Sequence, residues 1–476
     1  MNLKKHNFRM ARRKAKDTEA LGKTKISTLL KEYAVPAIIA MAASSLYNVV
    51  DSIFIGNGVG KFALTALGVS FPLMNLMTAL GMLVGVGGAT ILSLLLGQNN
   101  RKGAEEVLGN VVSLNLIIGA AFSLLCYIFL DPILIAFGAT ENTLSYAHEY
   151  MAIILIGNVF NHVFYGLNSC LRSIGHPATA MVLTLLTEVI NIVLDPLFIF
   201  VFDMGVAGAA WATVIAEGIG LIIIMWLFCR PRMEVNFTRG IFRLNWYFAK
   251  ESLKIGVSPF LMNAVACLVN ISINHQMLKY VGDIGIGAYS ITHRISFLFL
   301  MVVMGLMQGM QPIAGYNFGA RKYSRVKEVY FLTVKWAVGI TTAGFLCSEF
   351  LPSLLCRAFT SESDLLELSV KGLKYMNIFF PVVGFQIATT QLFQSIGMVN
   401  KSVFLSLSRQ LIFLIPMLYI FPLKWKETGL WLSFPGSDMA SATMALIMML
   451  FLLKDLRKLK DGDDPSSIGG KTYEKL

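Results

Sequence analysis

Charge is scarce in this 476-residue chain: 14% of its residues are Asp, Glu, Lys or Arg, where a soluble domain carries about a quarter. That shortage excludes an ordinary soluble enzyme, because apolar runs of this extent leave no room for a charged surface. Cysteine is also scarce. The six present, Cys126, Cys170, Cys229, Cys267, Cys347 and Cys356, form no C-x-x-C pair, and most sit inside apolar runs. They read as small hydrophobes, which excludes a disulfide framework or a thiolate metal site. The histidines lack H-E-x-x-H spacing, and no G-x-x-x-x-G-K-S/T loop occurs, so neither a zinc protease nor an ATP-driven machine fits. A membrane-embedded acyltransferase would need a His–acid pair at the water interface, and none is evident. The chain therefore reads as a non-enzyme that needs no cofactor. The first residues also lack the short apolar core and cleavage site of a signal peptide.

What the chain has instead is apolar sequence, 55% of all residues. A helix needs about 20 residues to cross a bilayer. Segments of that length recur near 33–55, 62–96, 105–130, 144–171, 177–202, 206–229, 250–280, 284–317, 323–350, 366–396, 400–423 and 427–453. The expected fold is an all-α integral membrane protein with twelve transmembrane helices. The second and eighth segments carry glycine clusters (Gly81, Gly85, Gly87, Gly88; Gly305, Gly309, Gly315), which suit bends or close helix packing. The 40 Lys and Arg residues outnumber the 28 acids. They gather at helix ends and in loops of one side (Arg101, Lys102, Arg172, Arg230, Arg321, Lys322, Lys401), which points to the cytoplasmic face of a membrane and not to nucleic acid. Both termini fall on that basic side, so a multi-pass protein with cytoplasmic ends is expected.

The two halves resemble each other. Ser173-Ile174-Gly175 recurs as Ser395-Ile396-Gly397, Arg101-Lys102 as Arg321-Lys322, and the stretch ending at Pro36 matches the stretch ending at Pro259, all at offsets of 220 to 223. The implied order is a basic cytoplasmic tail (1–32), an N-lobe of six helices (33–229), a cytoplasmic linker (230–249), a C-lobe of six helices (250–453) and a cytoplasmic tail (454–476). Six is even, so the repeat is parallel.

Acids inside a bilayer are costly and mark function by default. The informative ones are Asp51, Glu188, Asp195 and Glu217, all in the first half. Helical spacing puts Ser44, Tyr47, Asn48 and Asp51 on one face of the first helix, and Glu188, Asn191 and Asp195 on one face of the fifth. Thr213 and Glu217 pair likewise on the sixth, while Tyr150 and Asn168 on the fourth line a cavity or bond to a neighbouring helix. Carboxylates, an amide and a hydroxyl form a hard-oxygen set for a small cation, or for a proton shared between two acids. The plainer alternatives are helix-end carboxylates for Asp51 and Asp195, and structural hydrogen bonds for Glu188 and Glu217. Shifted by the repeat, Asp51 becomes Asn274, Glu188 becomes Gln410 and Asp195 becomes Met417. Every acid turns neutral, so any coupling site is expected in the first half. The 24 Met and 33 Phe suit a pocket for varied apolar cations, although lipid-facing packing explains them equally well.

With Pro36 and Asp51 on the first helix, Gly97-Gln98 after the second, Leu171-Arg172-Ser173-Ile174-Gly175 and Asn191-x-x-x-Asp195-Pro196, the chain resembles the multidrug and toxic compound extrusion (MATE) family over nearly its whole length. Within that family it is similar to the bacterial branch with N-lobe acids, MepA-like or DinF-like. The resemblance implies a V-shaped pair of lobes around a cleft. It implies antiport: export of cationic amphipathic compounds in exchange for H+ or Na+, from a monomer in contact with lipids of the bacterial inner (plasma) membrane. It also implies a cation site, for Na+ or a proton, at Asp51, Asn191, Asp195 and Thr213, with Tyr150 and Asn168 as neighbours and Pro36 bending the first helix. The seventh helix offers Asn263, Cys267, Asn270 and Asn274 where some members carry an acid, which argues against a C-lobe site. The runner-up is a lipid-linked precursor flippase of the same superfamily, which would need basic side chains in its cleft. Arg294, Lys335 and Arg409 are the few candidates.

Overall fold

 A computed structural model describes residues 19–231, 233–238, 240 and 242–464 of the chain. The basic arm up to residue 18, Arg232, Arg239, Ile241 and the tail from residue 465 lie outside these residues. In hydrocarbon the backbone must satisfy its own hydrogen bonds, so apolar runs of spanning length become helices. They are α1 (Ile26–Gly58), α2 (Lys61–Gly97), α3 (Arg101–Ile128), a short α4 (Leu130–Ala136), α5 (Glu141–Ser173), α6 (Pro177–Pro196) and α7 (Gly205–Cys229). The second half follows with α8 (Trp246–Tyr280), α9 (Asp283–Gly319), α10 (Tyr323–Phe350), a short α11 (Pro352–Arg357), α12 (Ser363–Met376), α13 (Phe380–Ser395), α14 (Val399–Leu407) and α15 (Ile415–Lys458). A π-helical turn follows α6 at Leu197–Val201, and another joins α14 to α15 at Ser408–Leu414.

Among the described residues ten helical stretches are long and apolar enough to cross a bilayer, and α12 with α13, bent by 54°, make an eleventh. The longest stretch, Val399–Lys458, has 60 residues, far more than one crossing needs. At Lys426 its backbone leaves the helix (φ 47, ψ −128). A Cβ on Gly429 would lie 2.5 Å from the Phe421 carbonyl oxygen, so the chain doubles back there and crosses twice. With that stretch divided at Lys426, the described residues hold twelve apolar spans, the number the apolar pattern predicts. The first begins at Ile26 and not near residue 33, because Lys31 and Glu32 lie within the helix.

The repeat is visible in element lengths. Helices α2 and α9 both have 37 residues, and α3 and α10 both have 28. The Ser-Ile-Gly repeats are helix stops. Gly175 (φ 104) and Gly397 (φ 73) adopt the left-handed conformation that closes a C-terminus. The His176 N–H then reaches back to Leu171 O at 3.1 Å, and the Met398 N–H to Phe393 O at 2.8 Å.

The described chain forms two compact units, and three helices, α1, α8 and α9, contribute residues to both. Ile39–Phe260 and Gly315–Ala320 belong to one unit, and Ile26–Ile38, Leu261–Ala314 and the chain from Arg321 to the other. In the first unit α2 meets α8 backbone to backbone: a Cβ on Gly256 would lie 1.7 Å from Leu83 O, and one on Gly87 1.9 Å from Ser252 O. In the second, α9 meets α1 in the same way, with Gly309 against Ala34 and Gly305 against Ile38. The core of the first unit gathers Ile55, Leu73, Tyr150, Met151, Ile199 and Ala209, and that of the second Ile273, Met277, Leu414, Leu418 and Trp431.

Candidate functional site

The polar faces of α1, α5, α6 and α7 meet inside the first unit. Glu188, Asn191 and Asp195 share one face of α6, which ends at Pro196 and passes into the π-helical turn Leu197–Val201. Such turns recur at functional sites because they break the regular ladder and redirect side chains. Asn191 is the hub. With its amide turned to satisfy both neighbours, its Nδ2 donates to Asp195 Oδ2 at 2.8 Å, and its oxygen accepts from the Thr213 N–H and Oγ1 at 2.9 Å each. The Tyr47 and Thr213 hydroxyls are 3.2 Å apart. A run of donors from Tyr47 through Thr213 and Asn191 therefore ends on the Asp195 carboxylate.

Asp195 is fully buried, and Asp51 is 6% exposed. The two carboxylates act on each other electrostatically, and Asp51 also acts on Tyr47 and Tyr150. Asp51 Oδ1 is buried without a hydrogen-bond partner. Leaving a buried carboxylate oxygen without a partner costs the desolvation of the group.

A second pair of acids has its own hydrogen-bond partners. Glu188 Oε1 accepts from Ser44 Oγ at 2.6 Å, and Glu217 Oε1 accepts from Asn161 Nδ2. Both are partly exposed. Asn161 was not among the residues the sequence pointed to; its position seven residues before Asn168 on α5 was the available signal, and a weak one.

Four expected positions lie elsewhere. Asn168 is not a neighbour of the cation cluster. It stands about 27 Å along α5 from Tyr150 at 1.5 Å per residue, where its Nδ2 donates to Ala180 O at 3.0 Å and its Oδ1 accepts from Arg172. It ties the turn between α5 and α6. Asn48 is exposed and folds back on its own helix, donating to Ser44 O at 2.8 Å. Pro36 lies inside a continuous α1, in the stretch that belongs to the second unit, and Asn274 is an exposed residue of α8 in that same unit.

The expectation that every first-half acid turns neutral at the repeat offset is also corrected. Asp438, in the last crossing, is 4% exposed and pairs with Arg409, whose Nε donates to its Oδ1 at 2.7 Å. Asp438 stands 438 − 217 = 221 residues after Glu217, at the repeat offset. Only Asp51, Glu188 and Asp195 have neutral counterparts.

The MatE family model matches residues 36–197 and 258–420, two stretches that start at the repeat offset and cover most of the chain. The chain belongs to the MatE family. This MatE chain is 26% identical over 434 residues to the multidrug export protein MepA of Staphylococcus aureus, covering 91% of its own length and 95% of the relative's. It is 25% identical over 443 residues to the MepA protein of Staphylococcus haemolyticus, with 92% and 96% covered. Among solved structures it is similar to the MATE multidrug transporter DinF-BH, with 33% identity, a TM-score of 0.84, and 92% of this chain and 98% of that one covered. It is similar also to an outward-facing multidrug resistance MATE family transporter, with 25% identity, a TM-score of 0.86, and 93% and 99% covered.

Proposed function

We propose that this MatE chain is a secondary active multidrug antiporter. It exports cationic amphipathic compounds across the bacterial plasma membrane in exchange for H+ or Na+, as a monomer with both termini in the cytoplasm. One observation carries the reading: Asp51 presents a buried carboxylate oxygen with no hydrogen-bond partner beside Asp195, which already ends a hydrogen-bonded run from Tyr47, Thr213 and Asn191. Two carboxylates in low dielectric repel each other unless a cation or proton joins them. Occupancy neutralises the pair and favours one packing of α1; vacancy favours another. Ion and drug then compete through two conformations of one helix and need not touch. The names of the relatives, which are multidrug export proteins, support the choice of drugs as cargo.

The test is transport by purified protein in liposomes, with sodium and pH gradients imposed separately. A gradient of one of these ions is expected to drive drug uptake into inverted vesicles, and Asp51→Asn to abolish that drive. Undiminished gradient-driven uptake by the variant would sink the reading.

A further inference from the structure

Arg409 and Asp438 form an ion pair inside the apolar part of the second unit. Arg409 rises from the π-helical turn Ser408–Leu414, and Asp438 lies about 16 Å along the last crossing from Glu427 at 1.5 Å per residue. The side chains are 25% and 5% exposed. The repeat supplies the contrast. Glu217 holds the matching place in the first unit, and Thr187, at 409 − 187 = 222, holds the place of Arg409. Thr187 only turns its hydroxyl to Thr184 O at 2.7 Å, and Glu217 is held by the neutral amide of Asn161. One unit thus keeps its last-helix acid without a built-in cation, and the other closes the same acid with a guanidinium.

That closure has a chemical consequence. A guanidinium does not give up its proton in a protein, and breaking a buried pair leaves an uncompensated charge, which is strongly unfavourable. A proton or sodium ion could take Asp438 only by displacing Arg409. The other charged or titratable groups near the pair do not offer an alternative partner for Asp438. His293, on α9, acts electrostatically with Arg409 and Arg294. Lys371 pairs with Glu427 and Lys374 with Glu349, while Lys401 of α14 lies over the Phe393 ring.

We propose that Arg409 is a specificity-determining residue for ion coupling: it fills the acid of the second unit with a permanent internal cation and so confines coupling to the first unit. The proposal rests on the reading that Asp51 and Asp195 take the coupling ion. The experiment counts cations moved per drug molecule by purified protein in liposomes, for the wild type, Arg409→Gln, Asp438→Asn, Arg409→Gln/Asp438→Asn and Asp51→Asn. Arg409→Gln is expected to raise the ratio by one cation per drug, and the double variant to return it to the wild-type value. A ratio unchanged in Arg409→Gln overturns the proposal. Should that variant fail to fold, Asp438→Asn decides alone: a wild-type ratio, with transport within twofold, supports the proposal, and a lowered ratio makes Asp438 a coupling acid and overturns it. The Asp51→Asn arm reads the underlying assignment separately, since retained wild-type coupling there removes the first-unit site whatever the Arg409 series gives.

Discussion

The two halves of the chain share a scaffold and differ in polar content. In the repeat Asp51 corresponds to Asn274, Glu188 to Gln410, and Thr187 and Glu217 to the pair Arg409 and Asp438. The lengths of α2 and α9, the left-handed glycine stops and the backbone contacts of Gly256 and Gly309 are kept. Helix starts differ too. Asn100 caps α3 locally, its Oδ1 accepting from the Gly103 N–H at 3.0 Å. Its counterpart Lys322 has no acceptor, and α10 is capped instead by Asp461 from the chain's far end, which accepts from the Ser324 N–H at 2.9 Å. Steric requirements of the backbone are common to both halves, whereas charge answers to what each half must bind.

The sharpest way to break this comparison is to remove the charge in one half and the matching neutral amide in the other. Asp51→Asn is expected to reduce drug resistance in a sensitised bacterial host to that of the empty host, and Asn274→Ala to leave it within twofold, with membrane expression checked by blot. Equal losses from both would mean that the halves share the ion chemistry.

The next largest effect tests the shared scaffold. Gly256→Ala and Gly309→Ala each force a methyl group into a neighbouring helix backbone, at a cost of about 3 kcal/mol, the upper part of the usual overpacking range. Thermal unfolding of the purified variants should show comparable losses; a neutral Gly309→Ala would separate the halves in packing as well as in charge. Smaller still, Gly175→Ala and Gly397→Ala place a side chain in the left-handed region, which costs roughly 1–2 kcal/mol, and the same unfolding measurement should give near-equal shifts.

The smallest effect concerns the borrowed cap. Partial burial would raise the Asp461 carboxyl, but the hydroxyl and N–H of Ser324 and the charge of Lys327 hold it below the ordinary carboxylate range. A depressed folded value means that the cap is fully present above the unfolded value and is lost as pH falls through the folded one. Asp461→Asn should speed hydrogen exchange at the Ser324 amide several-fold at neutral pH, and acidification should do the same to the wild type only in the strongly acidic range. Exchange that ignores both changes would show that α10 needs no cap from the tail.

Much of the fold was legible because the bilayer leaves so few options. Apolar length alone predicts the crossings, and only at charged edges such as Lys31 and Glu32 did it misplace an end, since residues at a membrane surface can be helical and polar at once. The face of a helix was also legible: the spacing of Glu188, Asn191 and Asp195 put them together. Depth was not. Asn168 shares a helix with Tyr150 and is polar like the rest, but spacing says nothing of which turn a neighbouring helix reaches. Asp438 escaped for a different reason. Its partner Arg409 is distant in sequence, and an acid within an apolar run looks like an isolated cost until the cation beside it is seen.

The glycine contacts of α2 with α8 and of α9 with α1 bear on how such a protein changes over generations. Where helices are held by backbone meeting backbone, that part of the packing does not depend on the polar side chains elsewhere. A substitution on the polar faces of α6, α7 or α15 then leaves these glycine contacts in place. Evolvability of cargo and ion use, on this view, is a property of the residues that have no side chain at all.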